Sequence, residues 1–284
     1  MSKILTVAAH KGGVGKTTMA VNLAGYLLKY YKKILVIDMD PQANATTRLL
    51  LGEKRQTGMG DVLRLGMMNN LDDEEQAAAF ETIVGKATTS ILREEGTISM
   101  IGSSRELAKV KIELSRYENV LYHKAMEIFG RMRNGYDLVI IDTPPSIELL
   151  TSISIHSSDY VLLVVMPDRD SLDGAWETLE SIVPTARKYF NARLSILGVV
   201  MTGIQKTKVV KLNVALAKNE FGKAMLGTML SRSVNVGDLA TIGGIVKDNY
   251  PGSKSDTELA SLAEEVHKRI ESGETYDPPN KKTR

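Results

Sequence analysis

Cysteine is absent from the 284-residue sequence, which excludes a disulfide scaffold or thiolate metal ligation and points to a reducing, cytoplasmic setting. Long apolar runs are absent too. The longest, residues 161–166, falls far short of the roughly 20 residues a membrane-spanning helix requires. No succession of basic, apolar and small residues opens the chain, so no secretory leader is expected. Excess charge of one sign is also lacking: 36 basic residues face 34 acidic ones, a net +2. Overall charge therefore does not announce a nucleic-acid binder, although a local basic patch stays open. Proline is missing between Pro41 and Pro144, which permits helices throughout that stretch. The four histidines (His10, His123, His156 and His267) are scattered without metal-ligand spacing, and no Ser-His-Asp set can be assembled around them. The lone tryptophan, Trp176, reads as a packing or dimer contact.

What is there is a chain whose 43% hydrophobic content suffices for a large core. With no Pro/Ser-rich linker to divide it, a single domain over residues 1–284 is expected. Residues 4–9 read as a buried strand and residues 19–28 as a helix. Between them stands His10-Lys11-Gly12-Gly13-Val14-Gly15-Lys16-Thr17-Thr18. Strand, glycine-rich turn, Lys-Thr and helix is the layout of a phosphate-binding loop. The glycines let consecutive N–H groups converge on one point, and the helix N-terminus adds positive potential there. Lys16 is expected to reach the β- and γ-phosphates, and the Thr17 hydroxyl to sit on Mg²⁺. The common G-x-x-x-x-G-K-[ST] pattern would put glycine at position 10; this chain has His10 there and gains Lys11. A dinucleotide fingerprint is excluded, because it needs glycine where Thr18 stands.

Two further apolar runs end in carboxylates, at the sheet edge where α/β proteins bind ligands. Residues 34–37 lead into Asp38-Met39-Asp40-Pro41-Gln42. These i, i+2 aspartates either approach a metal and a water or satisfy free N–H groups as the strand leaves the sheet. Residues 138–141 lead into Asp142, placed to hold Mg²⁺ through water, and then into Thr143-Pro144-Pro145-Ser146, whose two prolines make a stiff turn. Elsewhere the pattern predicts a loop at 55–61, an acidic helix start at 71–75, helix over 77–91, a short strand at 98–101 and one long helix over 106–133. It also predicts strands at 160–166, 195–202 and about 224–230, an amphipathic helix over 258–270 and a polar tail over 273–284. Residues 52–97 read as a helical elaboration, either a partner-binding addition or a cover for the sheet.

The stretch from Lys11 to Thr18 resembles the deviant Walker A motif of the ParA/MinD family of ATPases. Asp38 to Gln42, with Asn44-Ala45-Thr46 after it, resembles that family's D-x-D-P-Q motif. The resemblance implies an α/β fold with a predominantly parallel twisted sheet flanked by helices on both faces. It implies ATP and Mg²⁺ as cofactors, with the nucleotide held by Lys11, Gly12, Gly13, Val14, Gly15, Lys16, Thr17 and Thr18. In such a family Lys11 would reach across a two-fold axis to the ATP of the other subunit, and Asp40 would orient the attacking water. Thr17, Asp38 and Asp142 would lie in or near the Mg²⁺ shell. Thr143-Pro144-Pro145-Ser146 resembles the switch segment that senses the γ-phosphate. Lys206 roughly matches a basic residue that contacts DNA. Where relatives often show Ile-Pro-Arg-Asn-Val-Arg, this chain has Ser231 for the proline and Asn235 for the last arginine, which leaves Arg232, Lys247 and Lys254 as substitutes.

The function so implied is a weak, partner-stimulated ATPase that forms an ATP-sandwich homodimer and binds DNA non-specifically. It would act in plasmid or chromosome partitioning with a centromere-binding ParB-like protein, in the cytoplasm on the nucleoid. No membrane partner is expected, since nothing resembles the basic amphipathic tail helix of MinD-type relatives. No N-terminal helix-turn-helix is expected either, because the first strand opens the chain. The missing cysteines set the chain apart from the nitrogenase iron protein. The alternative is a MinD-like positioning ATPase for a protein or membrane-associated cargo. A metabolic ATP-dependent ligase or kinase on the same fold is a third reading, against which Lys11 argues.

Overall fold

The computed structural model describes residues 2–51, 57–146 and 148–277, with the backbone alone at 118 and 119. Its strands are β1 (Lys3–Ala8), β2 (Lys33–Asp38), β3 (Thr88–Leu92), β4 (Thr97–Ile101), β5 (Leu138–Asp142), β6 (Tyr160–Val165) and β7 (Ser195–Met201). They form one sheet in the order β3-β4-β2-β5-β1-β6-β7. Every neighbouring pair is parallel except β3 with β4. The helices of the first half are α1 (Lys16–Leu27), α2 (Asn44–Leu50), α3 (Met59–Met68), α4 (Glu74–Ala87), α5 (Glu106–Leu114) and α6 (Glu118–Met132). Those of the second are α7 (Leu149–His156), α8 (Arg169–Glu177), α9 (Val183–Tyr189), α10 (Lys208–Phe221), α11 (Val234–Ile242), α12 (Val246–Asn249) and α13 (Lys254–Ser272).

The strands read as unbroken apolar runs because both faces of the sheet are covered. On one face Leu5, Val7, Val36 and Ile140 pack with Met19 and Leu23 of α1 and Leu262 of α13. On the other, Leu35, Ile37, Val139 and Ile141 meet Val62, Phe80 and Phe129. Farther along that face, Val161 and Leu163 meet Leu172 and Trp176. Trp176 is 3% exposed and stacks on Phe221 with ring centroids 5.2 Å apart, so it is a packing residue. Chain order reverses about β1, with β2, β4 and β5 to one side and β6 and β7 to the other. The loop that leaves β1 therefore opens into the crevice where parallel sheets bind ligands.

Four elements differ from the sequence-based expectation. The helix expected over 77–91 ends at Ala87, and Thr88–Leu92 is β3. Thr88 Oγ1 donates to Val84 O at 2.7 Å and closes the helix, and the hydroxyls of Ser90 and Ser99 meet across the strand pair at 3.1 Å. Thr88, Thr89 and Ile91 are β-branched and suit a half-buried strand. The stretch 52–97 is thus helical only in α3 and α4, and residues 52–56 lie outside the described residues. The long helix expected over 106–133 is broken by a 3₁₀ turn at Ser115–Tyr117. There Ser115 Oγ donates to Ile112 O at 2.8 Å and competes with the helix ladder.

The strand expected at about 224–230 is reduced to two isolated bridges, Val199 with Met225 and Ile204 with Ser231. Between them Gly227 and Thr228 donate their N–H groups to the Glu265 carboxylate of α13, at 2.8 and 2.9 Å. Those donors are spent, so the ladder cannot run on. Of the loop expected at 55–61, residues 55 and 56 lie outside the described residues and Met59 already begins α3. Of the tail, residues 278–284 lie outside them, while Tyr276 N–H donates to Ile196 O at 3.1 Å and Asp277 pairs with Arg187 at 2.8 Å.

Candidate active site

Beyond β1 the chain turns through Gly13 (φ 77°) and Gly15 (φ 93°) into α1. Both angles lie in the left-handed region that glycine enters without strain, which is why the loop can curl here. Gly15 stands at the N-cap of α1, with no side-chain cap and no acidic residue in the first turn. The leading N–H groups are thereby left for an anion. Two hydroxyls brace the loop: Thr202 Oγ1, just past β7, donates to Val14 O at 2.7 Å, and Thr143 Oγ1, just past β5, donates to Val7 O at 3.0 Å. Nothing in the sequence around Thr202 marks it for this role; the contact arises from the order of the strands.

Asp38 and Asp142 stand opposite each other in the β2–β5 register, and both are fully buried. They differ in what they have left to offer. Asp38 accepts hydrogen bonds from Asp40 N at 3.0 Å, Thr46 N at 2.9 Å and Thr46 Oγ1 at 2.7 Å. It clamps the loop that carries Asp40, whose own carboxylate accepts from Gln42 N at 2.9 Å. Asp142 has no such clamp: no backbone N–H or charged group hydrogen-bonds either oxygen, and the Thr17 hydroxyl beside it is its one polar neighbour of that kind among the described residues. Burial, and then the Asp38 charge beside it, push the Asp142 carboxyl well above the usual carboxylate range, while Lys16 pulls it down. Lys16 is 6% exposed; burial lowers its ammonium pKa, and Asp142 and Asp40 pull it back up.

An orphaned buried carboxylate beside the Thr17 hydroxyl is the donor set a hard divalent cation takes. No cluster of three or more His, Cys, Asp or Glu among the described residues could hold a metal alone. Magnesium at this place would need phosphate oxygens and waters to complete its shell. Lys16 lies within electrostatic reach of Asp142 and Asp40, and the Thr17 hydroxyl is beside Asp142. Thr18, one residue on, accepts from Arg48 Nη1 at 2.6 Å through its hydroxyl.

Lys11 stands apart from that interior. Its Nζ donates to Asp168 Oδ1 at 3.0 Å and lies 3.7 Å from Asp170, with 41% of its side chain exposed. The hydrogen bond to Asp168 raises its pKa. His10, which takes the place of the usual first glycine, rests on Gly174 of α8, where an added methyl group would come within 2.3 Å of His10 Cβ. Gly174→Ala should therefore push the loop entry out of place and weaken nucleotide binding about 5-fold or more. Titration with a fluorescent ATP analogue checks this, and an unchanged Kd would mean that α8 yields without disturbing the loop.

The bridge between Ile204 and Ser231 brings Lys206 and Arg232 to one exposed corner. The other expected basic substitutes are engaged, Lys247 with Glu95 and Lys254 with Glu258. Ser231 donates from its N and Oγ to Glu258 at 2.8 and 2.7 Å, so α13 anchors this position. No helix among the described residues is long and apolar enough to cross a membrane.

A family model described as an AAA domain matches residues 2–196. Sporulation initiation inhibitor protein Soj of Bacillus subtilis is 32% identical over 269 residues, 94% of this chain and 98% of its own length. Chromosome partitioning protein ParA of Caulobacter vibrioides is 31% identical over 244 residues, 85% of each. Among solved structures, pNOB8 ParA bound to nonspecific DNA matches with a TM-score of 0.70 at 19% identity, covering 96% of this chain and all of that one. At that identity the likeness is one of fold.

Proposed function

Because the chain belongs to the AAA-domain family and, within it, to the ParA/Soj partition ATPases, we propose that it is a Mg·ATP-dependent ATPase that dimerises around its nucleotide and partitions DNA. The observation that carries this reading is the placing of the two lysines. Lys16 fills the pocket, whereas Lys11 waits at the rim on an exposed ion pair. A rim cation held so loosely is free to serve a nucleotide in a second copy. In related GTPases a charge brought across a subunit boundary is worth about 10³–10⁵ in rate, and a lysine supplied in this way would keep the monomer idle.

Within the pocket the uncapped start of α1 and Lys16 bind the phosphates. Asp40, fixed by the Asp38 clamp, orients the attacking water and accepts its proton. Thr17 Oγ1 and the Asp142 carboxylate would hold Mg²⁺, which when bound neutralises charge on the β- and γ-phosphate oxygens. Asp38 acts from beside that shell by positioning Asp40. Lys206 and Arg232 give the ATP dimer a paired basic corner for DNA backbone, a role supported by the neighbour solved on nonspecific DNA. A centromere-binding ParB-like protein would stimulate hydrolysis and release, in the cytoplasm on the nucleoid.

The test is light scattering together with DNA binding, with and without a non-hydrolysable ATP analogue. The analogue should double the mass and switch on DNA binding that collapses between about 50 and 200 mM salt, as phosphate contacts do. Tight DNA binding by the nucleotide-free monomer would contradict the reading. Co-sedimentation with liposomes in place of DNA would favour a MinD-like positioning role.

A further inference from the structure

Helix α2 packs against α1 and carries Arg48 in its last turn. The guanidinium is half-buried, and among the described residues its hydrogen bond is the one from Nη1 to Thr18 Oγ1 at 2.6 Å. No carboxylate among the described residues forms an ion pair with it. Burial lowers its pKa, and the charge of Asp142 pulls it back up. The backbone behind it is pinned on both sides. Thr46 is tied to Asp38 and accepts from Ser103 N at 2.8 Å, and Arg48 O accepts from Gly244 N at 2.8 Å. A cation drawn partly out of water, aimed by a fixed scaffold and with no ion-pair partner among the described residues, only the more distant charge of Asp142, calls for an anion.

We infer that Arg48 is a second phosphate-binding cation of the pocket, acting within its own chain on the α- and β-phosphates, and hence on ADP as well as ATP. The inference rests on the nucleotide reading above. Position along α1 decides which phosphates are meant. Lys16, Asp40 and Asp142 gather where the γ-phosphate and the attacking water belong. Thr18 lies past them, and the loop N–H groups cradle the α- and β-phosphates. The guanidinium fork presents parallel N–H donors that match two phosphate oxygens, which a lysine cannot do. Arg48 and Lys11 thus divide the work: one holds the nucleotide whatever its state, and the other answers only to the assembled dimer.

Calorimetric titration of the full chain with ADP and with ATP tests this, alongside the melting temperature with and without ADP. Arg48→Ala should weaken both nucleotides by the same factor, about 10–100-fold. It should remove most of the ADP-induced rise in melting temperature and leave the unliganded value in place. Arg48→Lys should recover only part of the affinity. Should the alanine variant fail to fold, Arg48→Gln, which can still donate to Thr18, gives the same comparison. ADP affinity equal to that of the unaltered chain would overturn the inference, and so would a loss confined to ATP. If the unaltered chain binds neither nucleotide, it is the nucleotide reading that has failed.

Discussion

A Lys11→Ala chain should bind ADP and ATP as the unaltered chain does, yet hydrolyse ATP about 10³-fold more slowly, down to the rate of buffer alone. The two effects separate because the two lysines are separate in space. Lys16 is 6% exposed inside the pocket, flanked by Asp142 and Asp40. Lys11 lies outside it on Asp168 and Asp170. Exposed ion pairs of this kind contribute little to stability, so neither the fold nor the subunit's own phosphate contacts depend on that amine. What the substitution removes is a charge available to a second copy. Single-turnover hydrolysis of labelled ATP, read beside the mass of the ATP-bound species, decides the point. Hydrolysis at the unaltered rate would end the role of Lys11 across a subunit boundary and leave a self-contained pocket.

The second large effect is expected at Asp142. Asp142→Asn should abolish the magnesium dependence of ATP binding and at the same time make the unliganded protein more stable, by about 1–3 kcal/mol. The aspartate is fully buried, has only the Thr17 hydroxyl beside it in place of a clamp like that of Asp38, and stands opposite Asp38. Its environment disfavours the charged form, as the raised pKa records, and asparagine imitates the protonated one. The sign with pH follows from the same shift. Between the ordinary carboxylate value near 4 and the raised folded value, the folded state binds more protons than the unfolded state. Stability of the unliganded protein therefore falls as pH rises through that window. In Asp142→Asn that slope should flatten. Urea unfolding at several pH values, without nucleotide or metal, measures both effects. A variant less stable than the parent at neutral pH would mean that the charge is matched by Lys16 after all.

The parts legible in the sequence are those that depend on one short segment. The loop from Lys11 to Thr18 needs only its own glycines and the helix after it. The strands ending in Asp38 and Asp142 show as apolar runs because helices cover both faces of the sheet. The parts that stayed hidden depend on distant partners. Thr88–Leu92 becomes a strand because β4 offers an edge, and helical periodicity in the residues before it runs on past Ala87. The segment near residue 227 fails as a strand because Glu265, far along the chain, takes its N–H groups. Arg48 sits in an ordinary helical turn, and only the packing of α2 on α1 brings it to Thr18. Thr202 meets Val14 for the same kind of reason, across an intervening strand.

That last contact ties the phosphate loop to the end of β7. The strand end that braces the phosphate loop through Thr202 continues within four residues to Lys206, beside Arg232. Were a polyanion to occupy this corner, its pull would reach the carbonyl of Val14 through Thr202, and a nucleotide seated in the loop would steady the corner in turn. Linkage would then run both ways: whatever factor one occupant gained from the other, it would return in full.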